Sequence, residues 1–270
     1  MISVVIPTYK NPRCLDWCLT SAINNAHDDK NYEIIVVVDG FIEESQGVLN
    51  KHSNEIQVLD LGQNFGMQHA LNMGVYNASY EKILIVNDDN VFPYGWNSTL
   101  DGFAITSVNN RVITPNQIEP LGPSIFNFTI KDFGNPETFD LEEYSNWESK
   151  NRNGSWTEDG GIFPFLVSKR DYMMVGGFDT LYQSPFICDW DFFLKLEMAG
   201  IVFRRTDLLS FYHFGSIATK NRSDGESDKF KKSEQDAFET FRYKWGFDAF
   251  RGKNNTHRPS NTTIRGIEFN

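Results

Sequence analysis

Three cysteines, Cys14, Cys18 and Cys188, are too few in 270 residues for a disulfide framework, and the sparse, odd set points to a reducing compartment. Cys14 and Cys18 lie four apart with no second pair to complete a zinc site. Positive charge is also short: 25 Lys and Arg against 36 Asp and Glu leave a formal net charge of −11, which disfavours nucleic acid and anionic membrane surfaces as partners. No apolar run approaches the length of a transmembrane helix. The opening Met1-Ile2-Ser3-Val4-Val5-Ile6-Pro7 reads as a strand, not as the basic-then-apolar pattern of a signal peptide. A cytoplasmic chain with no transmembrane segment and no nucleic-acid partner is expected. Neither Gly-x-Gly-x-x-Gly nor Gly-x-x-x-x-Gly-Lys-Ser/Thr occurs, so a phosphate here needs another counter-charge.

What is present is a core. The chain is 40% hydrophobic with 23 Phe, a length and load that suit one large α/β domain with a small appendage. Its organising stretch is Lys82-Ile83-Leu84-Ile85-Val86-Asn87-Asp88-Asp89-Asn90: a β-branched apolar run of the kind buried on both faces in a parallel sheet, ending in two adjacent carboxylates. The carboxyl ends of such strands are where open α/β sheets place ligands. Adjacent carboxylates repel unless something positive lies near, and a hard divalent cation is one answer; a simple polar turn is the other.

In chain order, residues 3–7 predict a first buried strand and residues 12–25 a helix with Pro12 in its first turn. Residues 32–40 predict a second strand ending in Asp39-Gly40, residues 56–61 a third, and residues 66–77 a second helix. Strand, helix, strand at this spacing is a βαβ unit with a right-handed crossover. Beyond the central run, a helix is expected to about residue 109 and a strand over 111–115; residues 117–153 read as an irregular excursion over the active edge. A strand-like run over 160–168, helices over 169–175 and 189–200, short strands over 201–205 and 208–213, an amphipathic helix over 228–244 and a loose polar tail from 252 complete the reading. There are no repeats and no interdomain linker.

Six separated motifs together resemble the family 2 glycosyltransferases of the GT-A fold, over about residues 1–215. They are Val4-Val5-Ile6-Pro7-Thr8-Tyr9; Glu33 through Asp39-Gly40; Asn64-Phe65-Gly66 with Ala70, Asn72 and Gly74; Asn87-Asp88-Asp89-Asn90; Gly176-Gly177-Phe178-Asp179; and Cys188-Asp189-Trp190-Asp191. The resemblance implies an α/β protein: a single GT-A (nucleotide-diphospho-sugar transferase) domain with a mostly parallel central sheet, helices on both faces and a C-terminal helical extension. It divides the chain into residues 1–215, with a nucleotide-binding half to about 110 and an acceptor-binding half from 111, and a helix and polar tail over 216–270 packed on or over the active edge.

The same resemblance implies a metal-dependent transfer of a hexosyl group from a nucleotide diphosphate sugar, UDP favoured, to a glycan, lipid-linked or protein acceptor in glycan biosynthesis, with inversion. Pro7, Thr8, Tyr9, Asp39, Asn64, Gly66 and Asp88 are the expected nucleotide contacts, Asp39 on uracil and Asp88 on ribose. Asp89 is the expected ligand of Mn2+ or Mg2+, joined by His213, an imidazole that suits Mn2+ better; a hydrogen-bonded core histidine is its other reading. Asp189 is the candidate base, with an N-cap as its structural alternative. Trp156, Glu158, Asp159, Gly160, Gly161 and Trp190 are candidates for sugar or acceptor contacts.

Two departures stand out: Asn87 replaces the usual first Asp, and Cys188 replaces a Glu. They leave a nucleotide- or carbohydrate-binding module without activity as an alternative, beside a retaining transferase. A sugar-1-phosphate nucleotidyltransferase is disfavoured because the loop Thr8-Tyr9-Lys10-Asn11-Pro12 has no glycine.

Overall fold

A computed structural model describes residues 1–27, 31–103, 108–121, 129–158, 160–215, 224–249, 263–264 and 267–268. Its first half alternates strand and helix. These elements are β1 (Ile2–Thr8), α1 (Pro12–Asn24), β2 (Tyr32–Val38), α2 (Ile42–Lys51), β3 (Ile56–Asp60), α3 (Met67–Asn77) and β4 (Lys82–Ile85). Next come β5 (Asn90–Val91), α4 (Trp96–Asp101), β6 (Arg111–Glu119), β7 (Thr129–Ile130), α5 (Leu141–Asn151), β8 (Trp156–Thr157) and β9 (Phe165–Ser168). The chain continues with α6 (Lys169–Met174), α7 (Cys188–Met198), β10 (Val202–His213) and α8 (Asp224–Trp245). A separate two-residue pair, β11 (Thr263–Ile264) and β12 (Ile267–Glu268), is antiparallel.

The main sheet runs β3-β2-β1-β4-β9-β6-β10-β5, with β7 on β6 and β8 on β10. β3, β2, β1 and β4 are parallel, so their carboxyl ends share one edge. β9 enters antiparallel between β4 and β6, and β10 returns parallel to β6. Alternation of side chains sorts the apolar runs to two faces. Ile2, Val4 and Ile6 pack with Leu15, Cys18 and Leu19 of α1, while Val5 packs with Ala70 and Leu71 of α3 and Phe192 and Phe193 of α7. This α/β architecture, with a layer on each face, is the fold class the resemblance implied.

Gly74 sets how closely α3 approaches the sheet: a Cβ there would lie 2.3 Å from Cγ1 of Val5. The C-terminal helix α8 belongs to the α7 face, where its Ala237 and Phe241 are buried. Burying a phenylalanine side chain contributes roughly 1.5–3 kcal/mol. Ion pairs reinforce the contact, with Lys244 Nζ 2.5 Å from Asp179 and 2.7 Å from the buried Asp191, onto which Trp245 Nε1 also donates.

Five local expectations are corrected. α2 was not expected, because its exposed polar residues dilute the apolar periodicity to Leu49 and a few half-buried neighbours. β6 does not stop at Pro115 but continues to Glu119; Pro115 is tolerated because the β10 register shifts there, between Thr206 and Ser210, and a proline fits where a ladder is interrupted. The segment read as irregular over 117–153 therefore holds the end of β6 and all of α5, a polar helix capped by Asp140 that buries only Tyr144 and Glu148. The two short strands of 201–213 are one strand, β10. The helix expected to residue 109 is α4, ending at Asp101, with residues 104–107 outside the described residues; most of the polar tail also lies outside them.

Candidate active site

Three parallel strands deliver side chains to the same edge. Thr8 ends β1, Asp39 follows β2, and Asp88 lies just past β4. Thr8 Oγ1 donates to Asp88 Oδ2 at 2.7 Å and Asn11 Nδ2 donates to Oδ1 at 2.9 Å. Burial, and then the neighbouring Asp89, push the Asp88 carboxyl up to about 7 despite these bonds. Pro7 pairs with Val37, and the Tyr9 ring meets Phe41 edge-on at 5.9 Å.

Asp39 is a hinge between strand and loop. Its Oδ1 accepts the Phe65 N–H at 2.7 Å and its Oδ2 the Gly66 N–H at 3.0 Å. Burial raises its pKa, and the two amides work against that rise. Gly40, at φ +84, lets the Asn64 backbone come close: a Cβ would lie 2.8 Å from Asn64 N. Asp39, Asn64 and Gly66 are thus one assembly at the start of α3.

The second cluster is built by sheet pairing. β10 and β5 are antiparallel, with His213 opposite Asn90, and the Phe214 N–H donates to the Asp89 carbonyl at 3.0 Å. His213 Nε2 lies 3.1 Å from Asp89 Oδ2, and Nδ1 lies 3.0 Å from Glu119 Oε1. Burial resists a charge on this imidazole, but Asp89 and then Glu119 outweigh it and push the pKa up to about 10.

Among the described residues no group of three His, Cys, Asp or Glu side chains forms a metal cage. The residues present nonetheless fit a divalent cation that takes its remaining ligands from substrate. Asp89 Oδ2 and His213 Nε2 are close enough for both to reach one ion at the roughly 2.1 Å of a Mg2+–oxygen contact, and Mg2+ sites are commonly completed by phosphate oxygens and water. Beside them Asn90 is 1% exposed with neither amide atom hydrogen-bonded, a side chain in want of a partner.

Asp189 and Trp190 sit in the first turn of α7, whose N-cap is Ile187 rather than Asp189. Asp189 Oδ1 accepts the Trp190 N–H at 2.9 Å, and the Trp190 side chain packs on the α3–α7 core. The loop before α7 is tied to the beginning of α3 by Gln68, whose Nε2 donates to the Ser184 carbonyl. Cys188 points inward, fully buried, its Sγ donating to the Pro185 carbonyl at 3.2 Å; burial, and then Asp189, drive its thiol pKa well up.

Trp156 and Glu158 are not brought to this cluster. β8 and β5 occupy opposite ends of β10, β8 at Arg205 and Thr206, β5 at Tyr212 and His213. Trp156 is exposed and meets Phe103 edge-on at 5.4 Å, and Glu158 pairs with Arg204 at 3.3 Å. Gly160 and Gly161 lie over Thr114, whose Oγ1 accepts the Gly161 N–H at 3.3 Å. Asp159 lies outside the described residues.

Residues 3–101 match the sequence model of glycosyl transferase family 2. Dolichyl-phosphate beta-glucosyltransferase of Mus musculus is 33% identical over 99 residues, which cover 33% of this chain and 31% of that protein. The match spans about a third of the length of that relative. In structure, TarS of S. aureus in complex with UDP-GlcNAc aligns with a TM-score of 0.58 at 16% identity, covering 89% of this chain and 66% of that one. GalNAc-T7 with UDP, GalNAc and Mn2+ aligns at 0.58 with 13% identity, covering 79% and 43%. Over residues 3–101 the chain is similar to glycosyl transferase family 2, and as a whole it has the GT-A fold of these neighbours.

Within this GT-A frame, four side chains at the edge were not anticipated: Asn11 on Asp88, Gln117 and Glu119 on His213, and the unpartnered Asn90. Asn11, directly before the helix-starting Pro12, and Asn90, closing the Asn-Asp-Asp-Asn run, were visible as polar residues beside motifs. Gln117 and Glu119 carry no local signal, because Pro115 masks the continuation of the strand that aims them. No helix among the described residues is long and apolar enough to cross a membrane.

Proposed function

We propose that this chain is a glycosyltransferase that moves a hexosyl group from a nucleoside diphosphate sugar, UDP sugars favoured, to an acceptor hydroxyl with inversion, using Mn2+ or Mg2+. The observation that carries the reading is the approach of Asp89 and His213 to 3.1 Å at the strand edge that also holds Asp88 and Asp39. The likeness to proteins solved with UDP-GlcNAc, and with UDP, GalNAc and Mn2+, supports the donor and the metal.

In this reading Asp39 takes the imide N–H of uracil. A carboxylate has about four lone-pair sites, and the Phe65 and Gly66 amides use two. Pro7, Thr8 and Tyr9 line the base, Asn64 and Gly66 border the diphosphate, and Asp88, held by Thr8 and Asn11, accepts a ribose hydroxyl. Asp89 and His213 hold the cation, which when bound neutralises the charge gathering on the departing diphosphate. Asp189 removes the proton from the acceptor hydroxyl, and one base with direct displacement inverts the anomeric carbon. Trp190 borders the acceptor, whether glycan, lipid-linked or protein. Trp156, Glu158, Gly160 and Gly161 receive no role at the transferred sugar, given their place at the other end of β10 or over Thr114.

Cys188 favours one second reading, a module that binds a nucleotide sugar without transferring it, since a buried thiol stands where the resemblance has a carboxylate. The test is thermal unfolding against nucleotides and nucleotide sugars with and without Mn2+, followed by hydrolysis assays of whichever sugar binds. Stabilisation by a UDP sugar that needs Mn2+ and is lost in Asp89→Ala, together with release of UDP that is lost in Asp189→Asn, supports the transferase. Stabilisation without turnover on any acceptor favours the binding module. No stabilisation by any nucleotide sinks both.

A further inference from the structure

The sheet lays Glu119, His213 and Asn90 along one rung. β6 and β10 are parallel with Ile118 opposite Tyr212, which brings Glu119 beside His213, while β5 pairs Asn90 with His213 from the other side. Gln117, two residues before Glu119, shares its face of the sheet. Neither Gln117 nor Glu119 has a part in the donor site as drawn above.

Around His213 the contacts are closely set. Nδ1 lies 3.0 Å from Glu119 Oε1 and 2.9 Å from Gln117 Nε2, and Gln117 Nε2 donates to the same Glu119 oxygen at 2.6 Å. Nε2 faces Asp89. With a cation bound, the neutral ring has two tautomers, and the neighbours decide between them. If Nδ1 carries no proton, Gln117 can donate to it, but the Glu119 carboxylate then confronts an imidazole lone pair at 3.0 Å, acceptor against acceptor. Nε2 would also hold the proton and have no lone pair for a cation. If Nδ1 carries the proton, it gives up the bond from Gln117 Nε2 at 2.9 Å, two donors now side by side, but both of them point at the Glu119 oxygen, which accepts from His213 and Gln117 alike. Hydrogen bonds to an ionised carboxylate are roughly twice as strong as neutral ones, so the second arrangement wins.

We propose that Glu119 is the positioning residue of His213: it accepts the Nδ1 proton, fixes the ring, and leaves the Nε2 lone pair turned toward Asp89 to hold the cation. Gln117, 4% exposed, steadies Glu119 by donating to the same oxygen. This inference rests on the reading of Asp89 and His213 as a cation site and names what makes His213 a ligand there. Carboxylate partners of ligating histidines are a general device for fixing ring and tautomer.

Mn2+ binding in the presence of UDP, followed by electron paramagnetic resonance, separates the two ideas in wild type, His213→Ala, Glu119→Leu and Glu119→Gln. Wild type should bind, His213→Ala should bind more weakly, and Glu119→Leu should lose about 10–100-fold in affinity. Glu119→Gln, whose amide oxygen still accepts, should lose less. If Glu119→Leu binds Mn2+ as wild type does while His213→Ala does not, the positioning role is overturned and the cation site stands. If wild type binds no Mn2+, the cation site falls and the positioning role with it. Should Glu119→Leu fail to fold, nitrogen-15 spectra of the wild-type imidazole in the Mg2+–UDP complex decide the matter. A proton on Nδ1 supports the proposal, and a proton on Nε2 overturns it.

Discussion

Asn72 clasps the backbone of Phe178 from both sides across 106 residues of sequence: Nδ2 donates to the Phe178 carbonyl at 2.8 Å, and Oδ1 accepts the Phe178 N–H at 2.9 Å. Tyr172 donates its hydroxyl to the same Oδ1 at 2.7 Å. Gly177, at φ +65, comes so near that a Cβ would lie 2.4 Å from Asn72 Oδ1. Two motifs quoted for the family resemblance, the Asn72 pattern and Gly176-Gly177-Phe178-Asp179, are therefore the two halves of one joint between α3 and the approach to α7. Replacing Asn72 by Ala removes all three bonds and strands the Tyr172 hydroxyl, at about 1 kcal/mol per bond. Urea unfolding of Asn72→Ala should show a loss of about 2–3 kcal/mol; a loss below about 0.5 would mean that water replaces the clasp.

Gly74→Ala sets two effects against each other. Alanine gains about 1 kcal/mol of helix propensity, but its methyl enters the space of Val5 Cγ1, a stiff β-branched side chain on a fully buried strand, where overpacking costs about 1–3 kcal/mol. Net destabilisation is expected, read as a lowered melting temperature.

Asp39→Ala should do double damage. The Phe65 and Gly66 amides lose their acceptor, costing about 1–3 kcal/mol, and the loop that carries Asn64 and Gly66 loosens. In calorimetry the variant should bind UDP at least tenfold more weakly than wild type. Unchanged UDP binding by a folded Asp39→Ala would remove Asp39 from the nucleotide site.

Glu148 takes the Ser210 N–H at 3.0 Å and the Arg152 guanidinium at 2.6 Å, while Tyr144 donates to the Ser210 carbonyl at 2.8 Å. Two side chains of α5 thus satisfy the backbone of the residue where β10 resumes its pairing, three positions before His213. Glu148→Ala strands the Ser210 amide and strips the Arg152 guanidinium of its carboxylate, leaving it the Tyr94 carbonyl and solvent, and a loss of about 1–3 kcal/mol is expected in denaturant titration.

Acid should weaken the attachment of α8. Burial alone would raise the Asp179 carboxyl, but the hydrogen bond from Lys244, the Leu181 amide and the Lys244 charge outweigh it and hold the pKa below the ordinary carboxylate value. A depressed pKa means that the folded state releases this proton more readily than the unfolded chain. Its stabilisation is complete above the unfolded value of about 3.9 and is lost as pH falls through the lower folded value. Asp179→Asn should be less stable than wild type at pH 7 and converge with it as pH falls below the ordinary carboxylate range; urea midpoints that stay parallel throughout that acidification would contradict the pairing.

The sequence by itself determined the parallel strands of the first half of the chain. Ser3 to Thr8, Tyr32 to Val38 and Lys82 to Ile85 announce buried strands because the apolar run is local and continuous, and a strand buried on both faces has no other way to be written. The adjacent Asp88 and Asp89 at the end of such a run mark the edge at which open α/β sheets place ligands, and Pro12 marks the helix that follows β1. Only the tertiary structure decided the rest of the site. Glu119 and His213, 94 residues apart, meet because β6 and β10 pair in parallel, and the register of that pairing rests on a shift at Pro115 and on side chains of α5. Nothing local encodes this. Gln117 and Glu119 are polar residues on a strand that proline masks, and α5 buries only Tyr144 and Glu148, too narrow a stripe for a helical period to stand out. Apolar periodicity reports which face of an element meets the core, whereas the partners of a buried polar group are set by strand register, which is a property of the assembled sheet.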